Sequence, residues 1–142
     1  MNREIEFRGK HIHALDINKK LDGTWVYGYL CDDNYIYSEK LGGDMLVDKS
    51  TIGQYTGLKD KNGKKIFEGD ILREYSNEIQ DWIVSYEYGK FVGTFDNVCE
   101  DLYELSDFEV IGNLWENGEI LNDSKNTEKN WIYKWLSVHC WL

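Results

Sequence analysis

Two acidic residues beside one glycine have the spacing for acid–base or metal chemistry. Glu68-Gly69-Asp70 places two carboxylates close together. Such a pair can act as general acid and base when burial separates the two pKa values, and it can also bind Mg²⁺. A metal-dependent hydrolase that uses Glu68 and Asp70 is one hypothesis. The residue types favour a structural role, because an Asp that enters a strand after a Gly commonly accepts hydrogen bonds from nearby backbone N–H groups.

A lysine-rich turn precedes this pair and raises a second hypothesis. Lys59, Lys61, Lys64 and Lys65 lie within seven residues of each other. A basic hairpin with aromatic neighbours can contact a nucleic-acid strand, so a nucleic-acid-associated accessory protein that uses the Lys59–Lys65 hairpin is an alternative function. The whole chain opposes it, since 26 Asp and Glu against 16 Lys and Arg give a net charge of −10. Phosphates would be repelled, and lysines at hairpin tips commonly serve solubility.

Metal and cofactor patterns are otherwise weak. His11 and His13 would share one face of a strand, but two solvated polar residues are the favoured interpretation. The segment around Asp60 partly matches the start of a calcium-binding loop. The match fails because Leu58 and Gly69 occupy positions where carboxylates are required. We therefore predict no metal, no cofactor and no catalytic residue, and the sequence favours a protein that is not an enzyme.

The polar residues around the two turns are the first candidates for ligand binding, because loops commonly present binding groups. These candidates are Gln54, Tyr55, Thr56, Lys59, Glu68 and Asp70. The turns themselves depend on four residues that tolerate unusual backbone conformations, namely Gly57, Asn62, Gly63 and Gly69. Asn-Gly favours a type I′ turn, which needs positive φ at both central residues.

The elements that must position these residues are mostly strands. Residues 25–37 are dense in β-branched and aromatic residues, are broken by Asp32-Asp33-Asn34, and predict a hairpin. Residues 71–95 predict a three-stranded meander, and residues 108–115 one more strand. The fold class is therefore mainly β, a small antiparallel β-barrel or sandwich-like domain with a short helical and aromatic C-terminal tail.

Two segments depart from this pattern. Residues 96–109 hold six acids and no Lys or Arg, which is typical of a short helix or an acidic edge. Residues 122–142 begin as a polar linker and end in an aromatic tail, where Trp131, Trp135 and Leu142 have helical spacing. The apolar face of that tail must be buried on its own domain or on another subunit. Together with exposed strand edges it predicts a homo-oligomer.

Composition indicates the compartment. The chain has 142 residues, of which 15% are aromatic, enough for one domain with its own core. The three cysteines, Cys31, Cys99 and Cys140, show no C-x-x-C spacing and are interpreted as reduced thiols. No apolar segment is long enough for a signal peptide or a membrane span, so we predict a cytoplasmic protein with no membrane partner.

Four motifs together resemble a known family. They are Arg3-Glu4-Ile5-x-Phe7-Arg8-Gly9-Lys10, Trp25-Val26-Tyr27-Gly28-Tyr29-Leu30, the long block from Ile52 through Gly57-Leu58-Lys59-Asp60-Lys61-Asn62-Gly63 to Ile71, and Glu109-Val110-Ile111-Gly112-Asn113. Residues 3–121 resemble the YopX-like proteins of phages and prophages in low-GC Gram-positive bacteria. The family often carries a proline before the long block and another after the final motif, and this chain has none.

The resemblance implies a mainly β fold and the cytoplasm of a bacterial host, but no reaction. We therefore predict a YopX-like β domain over residues 1–121, followed by the linker and tail of residues 122–142. The leading functional hypothesis is a phage-encoded, non-enzymatic binding domain that forms homo-oligomers. A host or phage protein is its expected partner.

Overall fold

A computed structural model describes residues 2–12, 21–76 and 78–121. Within these residues the chain forms eleven strands and one short α-helix. The elements are β1 (Phe7–Lys10), β2 (Trp25–Asp32), β3 (Tyr35–Ser38), β4 (Gly43–Leu46), β5 (Gly53–Lys59), β6 (Lys65–Phe67), β7 (Asp70–Tyr75), β8 (Ile79–Glu87), β9 (Lys90–Phe95), β10 (Val98–Asp101), β11 (Glu109–Asn113) and α1 (Leu114–Asn117). The mainly β prediction is confirmed.

The chain divides into two compact units at Gly57, a residue of β5. Predictions for His13 and for residues 122–142, including Trp131, Trp135 and Leu142, fall outside the described residues. The boundary predicted between residues 121 and 122 therefore stays a prediction.

The first unit is built on an open antiparallel sheet in the order β4-β3-β2-β1-β5. The β2–β3 hairpin turns at Asp33-Asn34, as the sequence predicted, and pairs Tyr29 with Tyr37. Its core is small and consists of Val26, Ile36 and Val47, each at most 1% exposed. His11 forms an isolated bridge to Val47 and is 2% exposed. The prediction of a solvated His11 is therefore wrong.

The second unit contains an open antiparallel sheet in the order β10-β9-β8-β7-β11. The meander predicted over residues 71–95 is confirmed as β7, β8 and β9. One core cluster includes Ile66, Leu72 and Val84, and a second contains Ile71, Ile83 and Leu121. Neither this sheet nor that of the first unit is closed into a barrel.

The acidic segment and the last predicted strand differ in detail from expectation. Residues 96–109 form both β10 and a 3₁₀ turn, Leu102–Leu105, because Leu102 and Leu105 bury their side chains in the core. The strand predicted over residues 108–115 ends at Asn113. The side-chain oxygen of Asn113 accepts hydrogen bonds from the first backbone N–H groups of α1, which starts the helix.

The Asn62-Gly63 turn is not type I′. Gly63 has a φ of +80°, but Asn62 is not among the residues with positive φ. The N–H of Gly63 donates to the carbonyl of Asp60 over 3.0 Å, and the N–H of Asp60 donates to the carbonyl of Lys64 over 2.8 Å. This is a type I turn followed by one left-handed residue, the usual three-residue hairpin loop. The type I′ prediction is wrong because the loop is one residue longer.

The cysteines differ from the prediction of reduced thiols. Cys31 is a free, exposed thiol, whereas Cys99 is disulfide-bonded. The prediction is therefore wrong for Cys99. Over the described ranges, no helix is long and apolar enough to cross a membrane.

Gly63→Val tests the hairpin. Positive φ strains every residue that has a Cβ, and a β-branched residue most of all, so we expect a loss of about 1–3 kcal/mol in unfolding free energy. Gly43→Val is the matched control, because Gly43 lies in β4 without positive φ and an added Cβ would meet open space. Thermal melting compares the two variants with the parent. Equal melting temperatures for Gly63→Val and the parent contradict the left-handed assignment.

Candidate functional site

A buried carboxylate organises the turn between β5 and β6. Asp60 is only 6% exposed. Its Oδ1 accepts hydrogen bonds from the N–H groups of Asn62 and Lys64, at 2.8 and 2.9 Å, and its Oδ2 accepts one from the N–H of Val110 at 3.0 Å. The first two bonds close the turn, and the third ties it to β11, fifty residues further along the chain.

These bonds decide the ionisation of Asp60. Burial acts to raise the pKa, and the three backbone N–H groups together with the charge of Lys64 act to lower it. The net effect is a pKa below the ordinary value, so the side chain is a carboxylate at neutral pH. Asp60 therefore has a structural role, which agrees with the rejection of a calcium loop at this position.

One lysine of the same hairpin, Lys61, has partners within its own unit. The Nζ of Lys61 lies 4.5 Å from the centroid of the Tyr75 ring and 3.9 Å from Oε2 of Glu109. A hydrogen bond to Glu109 is the main cause of a raised pKa for Tyr75. Beside them, Arg73 forms a two-pronged ion pair with Asp81, at 2.8 and 2.9 Å. The hairpin surface therefore mixes both signs of charge and is not a basic patch.

The Glu68-Gly69-Asp70 turn is also engaged by backbone contacts. Oδ2 of the buried Asp70 accepts a hydrogen bond from the N–H of Phe67 at 2.8 Å, as the structural interpretation predicted. Gly69 has a φ of +85°, and a Cβ there would lie 2.2 Å from the ring of Trp115. Glu68 is half-buried. Among the described residues, no group of three or more His, Cys, Asp or Glu is arranged to hold a metal ion.

The other predicted binding residues lie along β5. Tyr55 is buried, and its N–H donates to the carbonyl of Glu6 over 2.7 Å. Gln54 and Thr56 are half-buried, and Lys59 is exposed. Gln54, Tyr55 and Thr56 belong to the first unit, whereas Lys59, Glu68 and Asp70 belong to the second. Of these six residues, only Lys59 is strongly exposed to solvent.

A group of exposed aromatic residues that sequence reasoning missed lies on the β2–β3 hairpin. Four tyrosines occupy alternate positions of the two strands, and we call them the outer tyrosine face: Tyr27, Tyr29, Tyr35 and Tyr37, which are 44%, 57%, 39% and 40% exposed. Val26, one residue before Tyr27, and Ile36, between Tyr35 and Tyr37, point into the core instead. Soluble proteins seldom gather so many exposed aromatic rings without a binding role.

The close approach of the two strands brings the rings together. Tyr29 is directly opposite Tyr37 in the β2–β3 register. A Cβ on Gly28 would lie 1.8 Å from the carbonyl oxygen of Tyr37, so β3 can approach β2 only because residue 28 has no side chain. Directly opposed residues of antiparallel strands have Cβ atoms about 5 Å apart, which makes the two rings neighbours.

Acidic side chains border this face at one end. Asp44 is opposite Tyr37, and Asp32 is opposite Tyr35 where β2 bulges. The thiol of Cys31 contacts Oδ1 of Asp44 at 3.6 Å. Loss of solvation and the Asp44 carboxylate raise the pKa of Cys31. Over the described ranges, neither Asp32 nor Asp44 has a Lys or Arg within ion-pair distance.

The other end of the face already holds cations against an aromatic ring. Trp25 lies two residues before Tyr27 on β2. The guanidinium carbon of Arg8 is 4.6 Å from its ring centroid, and Nζ of Lys10 is 5.7 Å from it. Both distances are within the range of cation–π attraction.

A sequence signal for the face existed in the two-residue period of the hairpin. Trp25, Tyr27 and Tyr29 on one strand, and Tyr35 and Tyr37 on the next, fall on one side if the strands alternate strictly. This two-residue period does not tell which side of the hairpin faces solvent, because aromatic residues are as typical of a core as of a binding surface.

These features define a class of protein, namely a mainly β protein with an exposed aromatic sheet face. A family model described as "YopX protein" matches residues 6–122. The chain therefore belongs to the YopX family, which confirms the resemblance found in its sequence.

One solved structure is similar to the chain over most of its length. It is titled "Crystal structure of protein EF1440 from Enterococcus faecalis" and is 26% identical, with a TM-score of 0.50. The match covers 84% of this chain and 99% of that chain. The comparison with curated proteins finds no match.

Asp60→Asn tests the buried carboxylate. The amide retains one acceptor oxygen but places an NH₂ group near a backbone N–H, so we expect a loss of about 2 kcal/mol in unfolding free energy at pH 7. Because the folded pKa is lowered, the stabilising effect is complete above the unfolded pKa and is lost as the pH falls through the folded value. The stability difference between parent and variant should therefore shrink in acid.

Urea unfolding at a series of pH values measures that difference. Asp107→Asn, at an exposed position, is the matched control and should change stability little. A parent-to-variant difference that is constant from pH 7 down to pH 2 contradicts the lowered pKa of Asp60.

Proposed function

We propose that the protein is a non-enzymatic binding module that engages a polypeptide partner through the outer tyrosine face. The observation that carries this proposal is the exposure of four tyrosines on one side of a single hairpin. Tyrosine is enriched at the centres of protein interfaces, because its ring supplies large contact area at small entropic cost and its hydroxyl supplies a hydrogen bond. A β-sheet holds such rings in a rigid array, which lowers the cost of ordering them on binding.

The size of the face suits a peptide segment. Rings that bury about 150–250 Å² each when fully covered, at the observed exposures, offer about 400 Å² in total. A stable dimer needs about 800 Å² per partner, so the tyrosines alone are too few for a dimer interface. An extended segment of a larger partner covers a patch of this size.

The phage or prophage origin implied by the family resemblance belongs to the same proposal, as does a cytoplasmic location in the bacterial host. The partner is then a host or phage protein. The nucleic-acid and metal-dependent alternatives gain no specific support. Lys61 of the basic hairpin is already close to Glu109, and Asp70 is buried with its Oδ2 bonded to the backbone.

Self-association remains part of the proposal as an independent property. β4 ends the sheet of the first unit, and within the described residues its outer edge is covered at Leu46, whose carbonyl accepts a hydrogen bond from the N–H of Ile12 over 2.9 Å. The part of an edge strand that stays unpaired can accept a further strand. Size-exclusion chromatography with light scattering on the full-length protein should give a mass of at least two chains at micromolar concentration. A monomeric mass removes self-association from the proposal and leaves the tyrosine face unaffected.

Substitution of the central tyrosines tests the binding role. The double variant Tyr29→Thr/Tyr37→Thr removes both rings and keeps residues that suit a strand. Tagged full-length parent and variant are used to capture partners from bacterial host lysate, with mass spectrometry and nucleic-acid sequencing of the eluates. We expect at least one protein that the parent captures and the variant does not.

The matched control, Tyr88→Asn/Tyr103→Thr, replaces two tyrosines of the second unit that are 69% and 73% exposed. Residue 88 becomes Asn because its φ of +53° disfavours a β-branched residue and is tolerated by Asn. This control should capture the same proteins as the parent. Identical eluates from all three forms, with melting temperatures that show each is folded, contradict the role of the tyrosine face.

A further inference from the structure

The acidic border of the outer tyrosine face narrows the chemistry of the partner, on the basis of the proposed function above. Asp32 and Asp44 lie opposite Tyr35 and Tyr37 in register, so two carboxylates adjoin two exposed rings. Asp32 is exposed, and its Oδ1 accepts a hydrogen bond from the N–H of Asp33 at 2.7 Å. Asp44 is likewise exposed. The border is therefore negatively charged and open.

Aromatic rings beside carboxylates form the usual protein surface for binding organic cations. The face of a tyrosine ring attracts a cation through its quadrupole, and a carboxylate adds direct charge and hydrogen-bond acceptors. The first unit already shows this chemistry at Trp25, where Arg8 and Lys10 approach one ring. Among the described residues, no cation is placed in the same way over Tyr29, Tyr35 or Tyr37.

A shallow cleft of about 550 Å³ shares Asp32 with this border and extends to the other side of the hairpin, where Leu30 is opposite the buried Ile36. It is lined by Leu30, Cys31, Asp32, Asp33, Lys49 and Ile52. Nζ of Lys49 is 3.7 Å from Oδ2 of Asp33, and both side chains are more than 70% exposed. An exposed pair of this kind is weak and readily exchanged. A cationic side chain from outside can therefore enter the cleft and lie between Asp32 and Asp33, with its aliphatic stem on Leu30 and Ile52.

We infer that the outer tyrosine face binds an Arg- or Lys-bearing segment of a partner protein, with cationic side chains placed over Tyr29, Tyr35 and Tyr37 and paired with Asp32 and Asp44. Charge complementarity selects this occupant. Phosphates would meet the two carboxylates directly and a chain of net charge −10 in general. A second copy of this chain placed face to face would bring the same acidic border to its own, so the outer tyrosine face is not the surface of the proposed self-association through the β4 edge.

Binding of a fluorescein-labelled octa-arginine peptide to the full-length protein, followed by fluorescence anisotropy, tests the inference. Two variants remove one component each: Tyr29→Thr/Tyr37→Thr removes rings, and Asp32→Asn/Asp44→Asn removes charges. Each should weaken binding about tenfold, a loss of about 1.4 kcal/mol, because each variant removes two contacts at partly exposed positions. Circular dichroism melting establishes that each variant is folded.

Charge-matched and ring-matched controls separate site binding from general attraction to an acidic protein. Glu104→Gln/Asp107→Asn removes the same number of charges from exposed positions of the second unit. Tyr88→Asn/Tyr103→Thr removes the same number of exposed rings, with Asn at residue 88 because of its φ of +53°. Both controls should bind the peptide within about twofold of the parent, since most attraction between distant exposed charges is screened at physiological salt.

Three results overturn the inference. Equal losses in the Asp32/Asp44 variant and its charge-matched control mean that the peptide binds the acidic chain in general. No binding of octa-arginine at 100 mM salt means that the face does not take cations. Tighter binding of a labelled oligothymidylate that depends on Tyr29 and Tyr37 means that the face takes nucleic acid. In each case, loss of protein capture by the tyrosine variant in lysate would leave the proposed binding role standing.

Discussion

The second unit depends on one carboxylate that is kept away from water. Asp60 accepts three backbone hydrogen bonds, two inside its own turn and one from β11. An ionised group at 6% exposure is stable only with such donors, since desolvation alone would favour its neutral form. The turn that Asp60 closes also aligns β5 with β6 and brings Lys61 beside Glu109 and Tyr75. The lysine-rich hairpin is thus shaped by an acid at its base, and one of its cations, Lys61, lies beside an acid of the same unit.

The first unit shows how a small sheet can combine stability with an exposed aromatic surface. Its core uses one side of β2 and β3, where Val26 and Ile36 are almost fully buried. The opposite side is thereby committed to four tyrosines by the pleat of the strands. Rings on a sheet cannot retreat into the core without reversing the register, which would expose Val26 and Ile36. The cost of burying one side is therefore what holds the tyrosines in solvent.

Elements that depend on interactions between residues close in sequence could be predicted from the sequence. The hairpin at residues 25–37 and the meander at residues 71–95 follow from runs of strand-forming residues separated by turn residues, and both are present. The structural role of Asp70 also followed from a local pattern. The type I′ assignment of Asn62-Gly63 failed because Asp60 accepts from the N–H groups of both Asn62 and Lys64, and this favours a loop one residue longer. The solvated state expected for His11 failed because a long-range bridge to Val47 buries it.

The sequence by itself determined the fold class, the family and the positions of the main turns, since alternation, glycine placement and motif order act over short distances along the chain. The tertiary structure decided which residues face solvent. Tyr55 and Asp70 were candidates for binding and are buried, whereas Tyr29 and Tyr37 were assigned only to strands and are exposed. Strand pairing between distant segments settles this choice, because a tyrosine satisfies the pattern of a core and of a binding face equally well.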